Sequence, residues 1–210
     1  LIFVLSFYLL IVYAFLFYAL IPYKTLAVSR KKPGVSVIIP TKDDHNVIGK
    51  TVRNVRKSDY RNLEIIIVDG SKDDRTESKV RNHVDKIIKD PGRGKGHALK
   101  LGVENASGEL IYVLDSDSQI KRNTISTLVS RLQDGYCGVV GAISIKKGGG
   151  VVAMMDRAIH AYFAIGELVI FKLLGTSSVL GKNFVLRKKD MESLEYENSL
   201  TEDIGISCDI

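Results

Sequence analysis

Residues 109–118 read Glu-Leu-Ile-Tyr-Val-Leu-Asp-Ser-Asp-Ser: an apolar run that breaks off in two carboxylates, Asp115 and Asp117. Glu109 to Leu114 is short, bounded upstream by Gly108, and rich in β-branched and aromatic residues, which predicts a buried strand. Two earlier segments have the same form. Val35 to Ile39 (VSVII) is closed by Pro40, and Glu64 to Val68 (EIIIV) by Asp69-Gly70. Ile87-Ile88, ahead of Pro91, makes a short further strand, and Cys137 to Ile145 another. Helical spacing falls between them: over Asn46–Lys57, with Val47, Ile48, Val52 and Val55 on one face; over the polar stretch Arg75–His83; over Gly96–Ala106; and over Asn123–Leu132. Strands alternating with helices predict an α/β domain with a mostly parallel sheet. Ligands of such sheets sit beyond the carboxyl ends of the strands, so the residues just after each strand carry the argument.

Outside this pattern, Leu1 to Ile21 is apolar except for Ser6. As a helix it would reach roughly 30 Å, enough for a bilayer core. The expected organisation is a transmembrane helix over 1–22, a basic juxtamembrane linker over 23–34, and the α/β domain over 35–210. Lys24, Arg30, Lys31 and Lys32 predict that the domain stays on the cytoplasmic side. Val151 to Leu174 is helical in spacing and largely apolar. Asp156, Arg157, His160 and Glu167 favour a helix packed on the domain or lying at a membrane surface over a second span. The two cysteines, Cys137 and Cys208, make no disulfide framework. A net charge of +6 suits phosphorylated ligands or anionic head groups as well as a solvated surface. The dispersed Lys and Arg, with no aromatic–basic module, argue against nucleic acid. The chain starts without Met and reads as part of a longer protein.

Four clusters carry chemistry. Asp115 and Asp117 at a strand end read either as oxygen ligands converging on one hard cation or as a turn capping the next helix. Asp69 at another strand end reads as a partner for a base N–H or ribose hydroxyl, with Asp73 or Asp74 as a helix cap. Thr41 and Asp44, after the first strand, could line the same pocket. Gly92-Arg93-Gly94-Lys95-Gly96 ahead of a helix suits a diphosphate or is a flexible basic loop. It matches neither the dinucleotide nor the P-loop pattern. Thr201-Glu202-Asp203 offers a carboxylate for removing a proton from an acceptor hydroxyl, or is a surface turn. The four histidines, His45, His83, His97 and His160, have no familiar metal spacing.

In order, VSVIIPTKDD, IIIVDGSKDDRT, GRGKGHALKLG, ELIYVLDSDS, LGKNFVLRKKDM and TEDIGIS resemble the family 2 glycosyltransferases of GT-A fold, from Val35 to Ser207, which implies a Rossmann-like mixed sheet with helices on both faces. The resemblance implies that Thr41, Asp44 and Asp69 contact the donor nucleotide and that Lys95 lies near its phosphates. It further implies that Asp115 and Asp117 hold a divalent cation, Mg2+ or Mn2+, with Asp117 the direct ligand, and that Asp203 is the catalytic base. This chain has Lys42-Asp43-Asp44 where the family commonly has Tyr-Asn-Glu, and Gly70 in place of a frequent second Asp. The implied reaction is inverting transfer from a nucleotide-diphosphate sugar, UDP-sugar favoured, to a glycan or lipid-linked acceptor at the cytoplasmic membrane face. Transfer to a polyprenyl phosphate, or a non-catalytic nucleotide-sugar-binding membrane subunit, are the alternatives.

Overall fold

The computed structural model of the chain describes residues 6, 10, 12–14, 16–18, 20–21, 29–132, 138–141, 150–174 and 183–193. The chain divides into two compact units, one made of Leu1–Thr25 with Ala142–Ser178, the other of Leu26–Gly141 with Val179–Ile210.

The second unit is a six-stranded sheet. Its strands are β1 (Val35–Thr41), β2 (Leu63–Asp69), β3 (Lys86–Lys89), β4 (Leu110–Val113), β5 (Gly138–Val140) and β6 (Phe184–Arg187). They lie in the order β3-β2-β1-β4-β6-β5. β1 pairs in parallel with β2 and β4, and β2 with β3, whereas β6 runs antiparallel to both β4 and β5. The helices are α1 (Ile48–Arg56), α2 (Arg75–Val80), α3 (Lys95–Glu104), α4 (Thr124–Arg131) and α6 (Lys188–Glu192). The long helix α5 (Val151–Leu174) belongs to the other unit.

Both faces of the sheet are buried, because successive strand residues point to opposite sides. Val37, Ile39, Ile65, Ile67 and Tyr112 pack with Ile48, Val52 and Val55 of α1 and Ile125 and Val129 of α4. On the other face, Ile38, Ile66, Val68, Ile111 and Val113 pack with Leu99 and Val103 of α3 and Met191 of α6. This is why β1 and β2 read as continuous apolar runs rather than alternating ones. Each of these fully buried aliphatic side chains contributes about 1.5–3 kcal/mol. Gly102 of α3 sits so close to the sheet that a Cβ there would stand 2.5 Å from Ile38 Cγ2.

Two expectations need amendment. Pro40 does not end the first strand but lies inside β1, in register with Val68. Ile38 accepts a bond from Leu114 N, while Thr41 accepts one from Gly70 N. Pro40 therefore turns its nitrogen toward the β4 side, beyond the last paired residue, so its missing N–H costs nothing. Second, Phe184–Arg187, which carried no strand expectation, supplies the antiparallel strand that makes the sheet mixed, as the GT-A resemblance implies. Among the described residues no helix is long and apolar enough to cross a membrane. The span expected over 1–22 falls partly outside the described residues, and those described between 6 and 20 are helical. Of the strand expected over Cys137–Ile145, Gly138–Val140 is strand and the remainder, apart from Gly141, lies outside the described residues.

In the first unit, the Lys172 ammonium of α5 is bonded to the carbonyls of Tyr18 (3.0 Å) and Ile21 (2.6 Å). It also stands 5.6 Å from the Tyr18 ring centroid. A cation at carbonyls closing a helix is favourably placed against the helix dipole. Tyr13, Phe17 and Leu20, like Val152, Met155, Ile159, Tyr162 and Phe163 of α5, are exposed.

Candidate functional site

The carboxyl ends of β1, β2 and β4 open onto a cavity of about 370 Å³. Its wall includes Thr41, Asp44, Gly70, Asp90, Lys95, Asp115 and Asp117. Five of the sequence-predicted residues thus meet around one volume: Thr41, Asp44, Lys95, Asp115 and Asp117. Asp203 lies outside the described residues.

The middle residue of Asp115-Ser116-Asp117 explains how the two carboxylates are presented. Ser116 is buried, its hydroxyl donates to Asp44 Oδ2 at 2.5 Å, and its carbonyl accepts from Thr51 Oγ1 at 2.6 Å. The loop is thereby fastened from inside to α1 and the turn after β1. Ser118 N donates to the Asp115 carbonyl at 3.1 Å, closing a turn. Asp115 and Asp117 flank the fastened residue and line the cavity. Asp44 also caps α1 with its backbone, its carbonyl accepting from Val47 N and Ile48 N.

Lys95, the first residue of α3, brings its ammonium to 3.2 Å from Asp115 Oδ1. Gly92 (φ +82°) and Gly94 (φ +105°) take left-handed backbone conformations that favour glycine, which lets the loop turn sharply into the helix. Thr41 is buried at the cavity wall, and among the described residues its Oγ1 has no hydrogen-bond partner. A buried hydroxyl without a partner is costly unless a ligand supplies one.

Asp69 is placed differently. It is fully buried and is not on the cavity wall. Its Oδ1 accepts from Ser71 N at 3.0 Å, and its Oδ2 faces Lys89 Nζ at 3.3 Å. Burial works against the Lys89 ammonium, but the Asp74 and Asp69 carboxylates outweigh it and hold its pKa above the usual lysine value. Ser71 in turn accepts from Asp43 N at 2.8 Å, so Asp69 braces the turn after β1 from behind. Asp73 bonds Arg75 N and its guanidinium, which lowers its carboxyl below the usual range.

Ser116, Thr51, Asp90 and His97 are functional residues to which the sequence pattern assigns no role. For Ser116 the available signal was a small hydroxyl residue between two acids at a strand end. For Asp90 it was the Asp-Pro-Gly turn pattern at the end of β3.

A hard cation fits the donor set at Asp115 and Asp117. Carboxylate oxygens suit Mg2+ and Mn2+; the Lys95 ammonium, 3.2 Å from Asp115 Oδ1, would have to swing away for a cation to take that oxygen. No group of three or more His, Cys, Asp or Glu converges among the described residues. Water and donor phosphate oxygens would complete the shell, as Mg2+ commonly requires.

Residues 36–194 match the model of glycosyl transferase family 2. The chain belongs to that family. Over 128 residues, this family 2 chain is 31% identical to the GalNAc(5)-diNAcBac-PP-undecaprenol beta-1,3-glucosyltransferase of Campylobacter jejuni, covering 56% of the chain and 40% of that protein. It is 27% identical over 169 residues to the dolichol-phosphate mannosyltransferase of Pyrococcus furiosus, covering 77% of the chain and 48% of that protein. A mannosyltransferase of Pyrobaculum calidifontis, solved in complex with GDP-Man and Mn2+, superimposes with a TM-score of 0.74 at 21% identity, over 94% of the chain and 57% of that structure. The shared architecture is the expected GT-A α/β fold. The family 2 chain thus spans about half the length of these relatives.

Proposed function

We propose that the protein transfers a sugar from a nucleotide-diphosphate donor to a glycan or lipid-linked acceptor, with a divalent cation held by Asp115 and Asp117. The observation that carries this reading is the convergence of Asp115, Asp117, Lys95 and Thr41 on one strand-end cavity. The cation would neutralise charge on the donor diphosphate. Thr41 offers its hydroxyl to the nucleoside, beside the brace built on Asp69. Lys95 presents its ammonium to the oxygens of the leaving diphosphate, where negative charge grows as the glycosidic bond breaks. Ser116 keeps both acids in place without reorganisation. Asp203 is proposed as the base that takes the proton of the attacking hydroxyl, which gives inversion at the sugar carbon.

The setting is proposed to be a membrane, with the catalytic domain cytoplasmic. The apolar run over 1–21, the basic residues after it and the exposed apolar side chains of α5 support this. A second acceptor reading, transfer to a polyprenyl phosphate, draws on the dolichol-phosphate mannosyltransferase match over 77% of the chain. A phosphate oxygen needs no strong base, so Asp203→Asn would then keep most activity, whereas transfer to a hydroxyl would be nearly abolished.

The test is donor hydrolysis by the full-length protein in detergent, with UDP-, GDP- and dTDP-sugars, in manganese, magnesium or EDTA. Metal-dependent release of one nucleoside diphosphate, lost in Asp117→Ala, is expected. Release from no donor, with membrane lipid supplied as acceptor, would refute the reading.

A further inference from the structure

The loop that delivers Lys95 stands out from the body of the domain. Pro91, Gly92, Arg93 and Gly94 are exposed, and two of the four are glycines with positive φ. A Cβ at either glycine would meet nothing within 4 Å, so packing does not fix the loop's path.

Its two ends, however, are tied to one carboxylate. Asp90 follows β3 and is anchored there through its N–H to the Asp69 carbonyl at 2.9 Å. Its side chain is only 4% exposed. Oδ2 accepts from Gly92 N at 3.1 Å, at the start of the loop. Oδ1 is 2.6 Å from Nδ1 of His97, in the first turn of α3. An ionised carboxylate only accepts, so Nδ1 carries the hydrogen and donates. The same Oδ2 would stand 3.4 Å from a Cβ at position 70, so Gly70 leaves this carboxylate room at the cavity wall.

From this geometry we propose that Asp90 and His97 are positioning residues, forming a clasp that holds the first turn of α3 so that Lys95 faces the donor diphosphate. The proposal rests on the reading of the cavity as a nucleotide-diphosphate site. The clasp acts on the phosphate part of the ligand. The nucleoside part is met by Thr41, on a different strand. Breaking the clasp therefore weakens recognition of phosphate and leaves nucleoside recognition intact, which a general loosening of the fold would not do.

The experiment compares binding of a nucleoside diphosphate with binding of its parent nucleoside by the full-length protein, using the base identified in the hydrolysis panel. The variants are His97→Leu, which removes the donor, and His97→Asn, whose amide nitrogen takes the place of Nδ1. His97→Leu is expected to weaken diphosphate binding about tenfold, with nucleoside binding changed less than about twofold, and to raise the donor KM more than it lowers kcat. His97→Asn is expected to recover binding to within about threefold of wild type. Unchanged diphosphate binding in His97→Leu, equal weakening of both ligands, or no recovery in His97→Asn would overturn the clasp. Wild-type protein that binds neither ligand would instead refute the donor-site reading on which it rests.

Discussion

Replacing Glu64 with Gln should cost stability at neutral pH and about half as much at pH 3. Glu64 sits near the amino end of β2, away from the cavity. Its carboxylate accepts from Ser36 Oγ at 2.5 Å and from Ser107 N and Oγ at 2.6 and 2.7 Å, and faces Lys86 Nζ at 3.4 Å. Burial pushes the carboxyl up, but the bonds from Ser36 and Ser107, with help from the Lys86 ammonium, outweigh it and hold the pKa at about 2 instead of 4.5. A depressed carboxyl stabilises the fold above its unfolded value and loses that contribution as pH falls through the folded one. The ionised group is therefore worth about 3 kcal/mol at pH 7 and about half that at pH 3. Lys86 is 42% exposed, so its share is screened, and about 2–3 kcal/mol is the expected loss for Glu64→Gln at pH 7. Urea unfolding of both proteins at pH 7 and pH 3 measures the two differences. A loss of equal size at both pH values would refute the reasoning, since it would show that the charge of Glu64 contributes nothing. Donor hydrolysis should be unchanged.

Two further substitutions probe the cavity and the core. Thr41→Val removes a buried hydroxyl without a partner among the described residues; stability should hold or rise by up to about 1 kcal/mol while donor KM rises about five- to tenfold. Unfolding curves and donor kinetics check this, and a stability loss with unchanged KM would oppose it. Gly102→Ala places a Cβ 2.5 Å from Ile38 Cγ2, and urea unfolding should show a loss of about 1–3 kcal/mol.

The parallel half of the sheet was legible because strands buried on both faces must be apolar throughout, as VSVII and EIIIV are. β6 was not. Its four residues, Phe184–Arg187, are too few to show a period and are followed at once by Lys188-Lys189. Its place beside β4 is fixed by pairing across more than 70 residues of chain. Within the site, acids at strand ends announced themselves, since topology brings strand ends together. The fasteners did not, because Ser116 to Asp44 and His97 to Asp90 are ordinary residue types whose meaning lies in who they face. Asp69 shows the converse: a strand-end acid that the fold turns inward to brace a neighbouring turn.

The points where the polypeptide leaves and rejoins the sheet also have a bearing on how such a protein changes over time. Gly141 N donates to the Asn183 carbonyl at 2.7 Å, and Asn183 N to the Val113 carbonyl at 2.9 Å. Tyr112 OH donates to Asn183 Oδ1 at 2.8 Å, and a Cβ at position 141 would stand 2.5 Å from Asn183 Nδ2. Departure and return are thus stitched together at the sheet, Gly141 to Asn183 and Asn183 to Val113 and Tyr112. With both ends of the excursion pinned, doubling the number of residues between them would cost only about 0.6 kcal/mol in closure entropy. A change in the length of that excursion is therefore a small perturbation to the sheet and to the cavity at its edge.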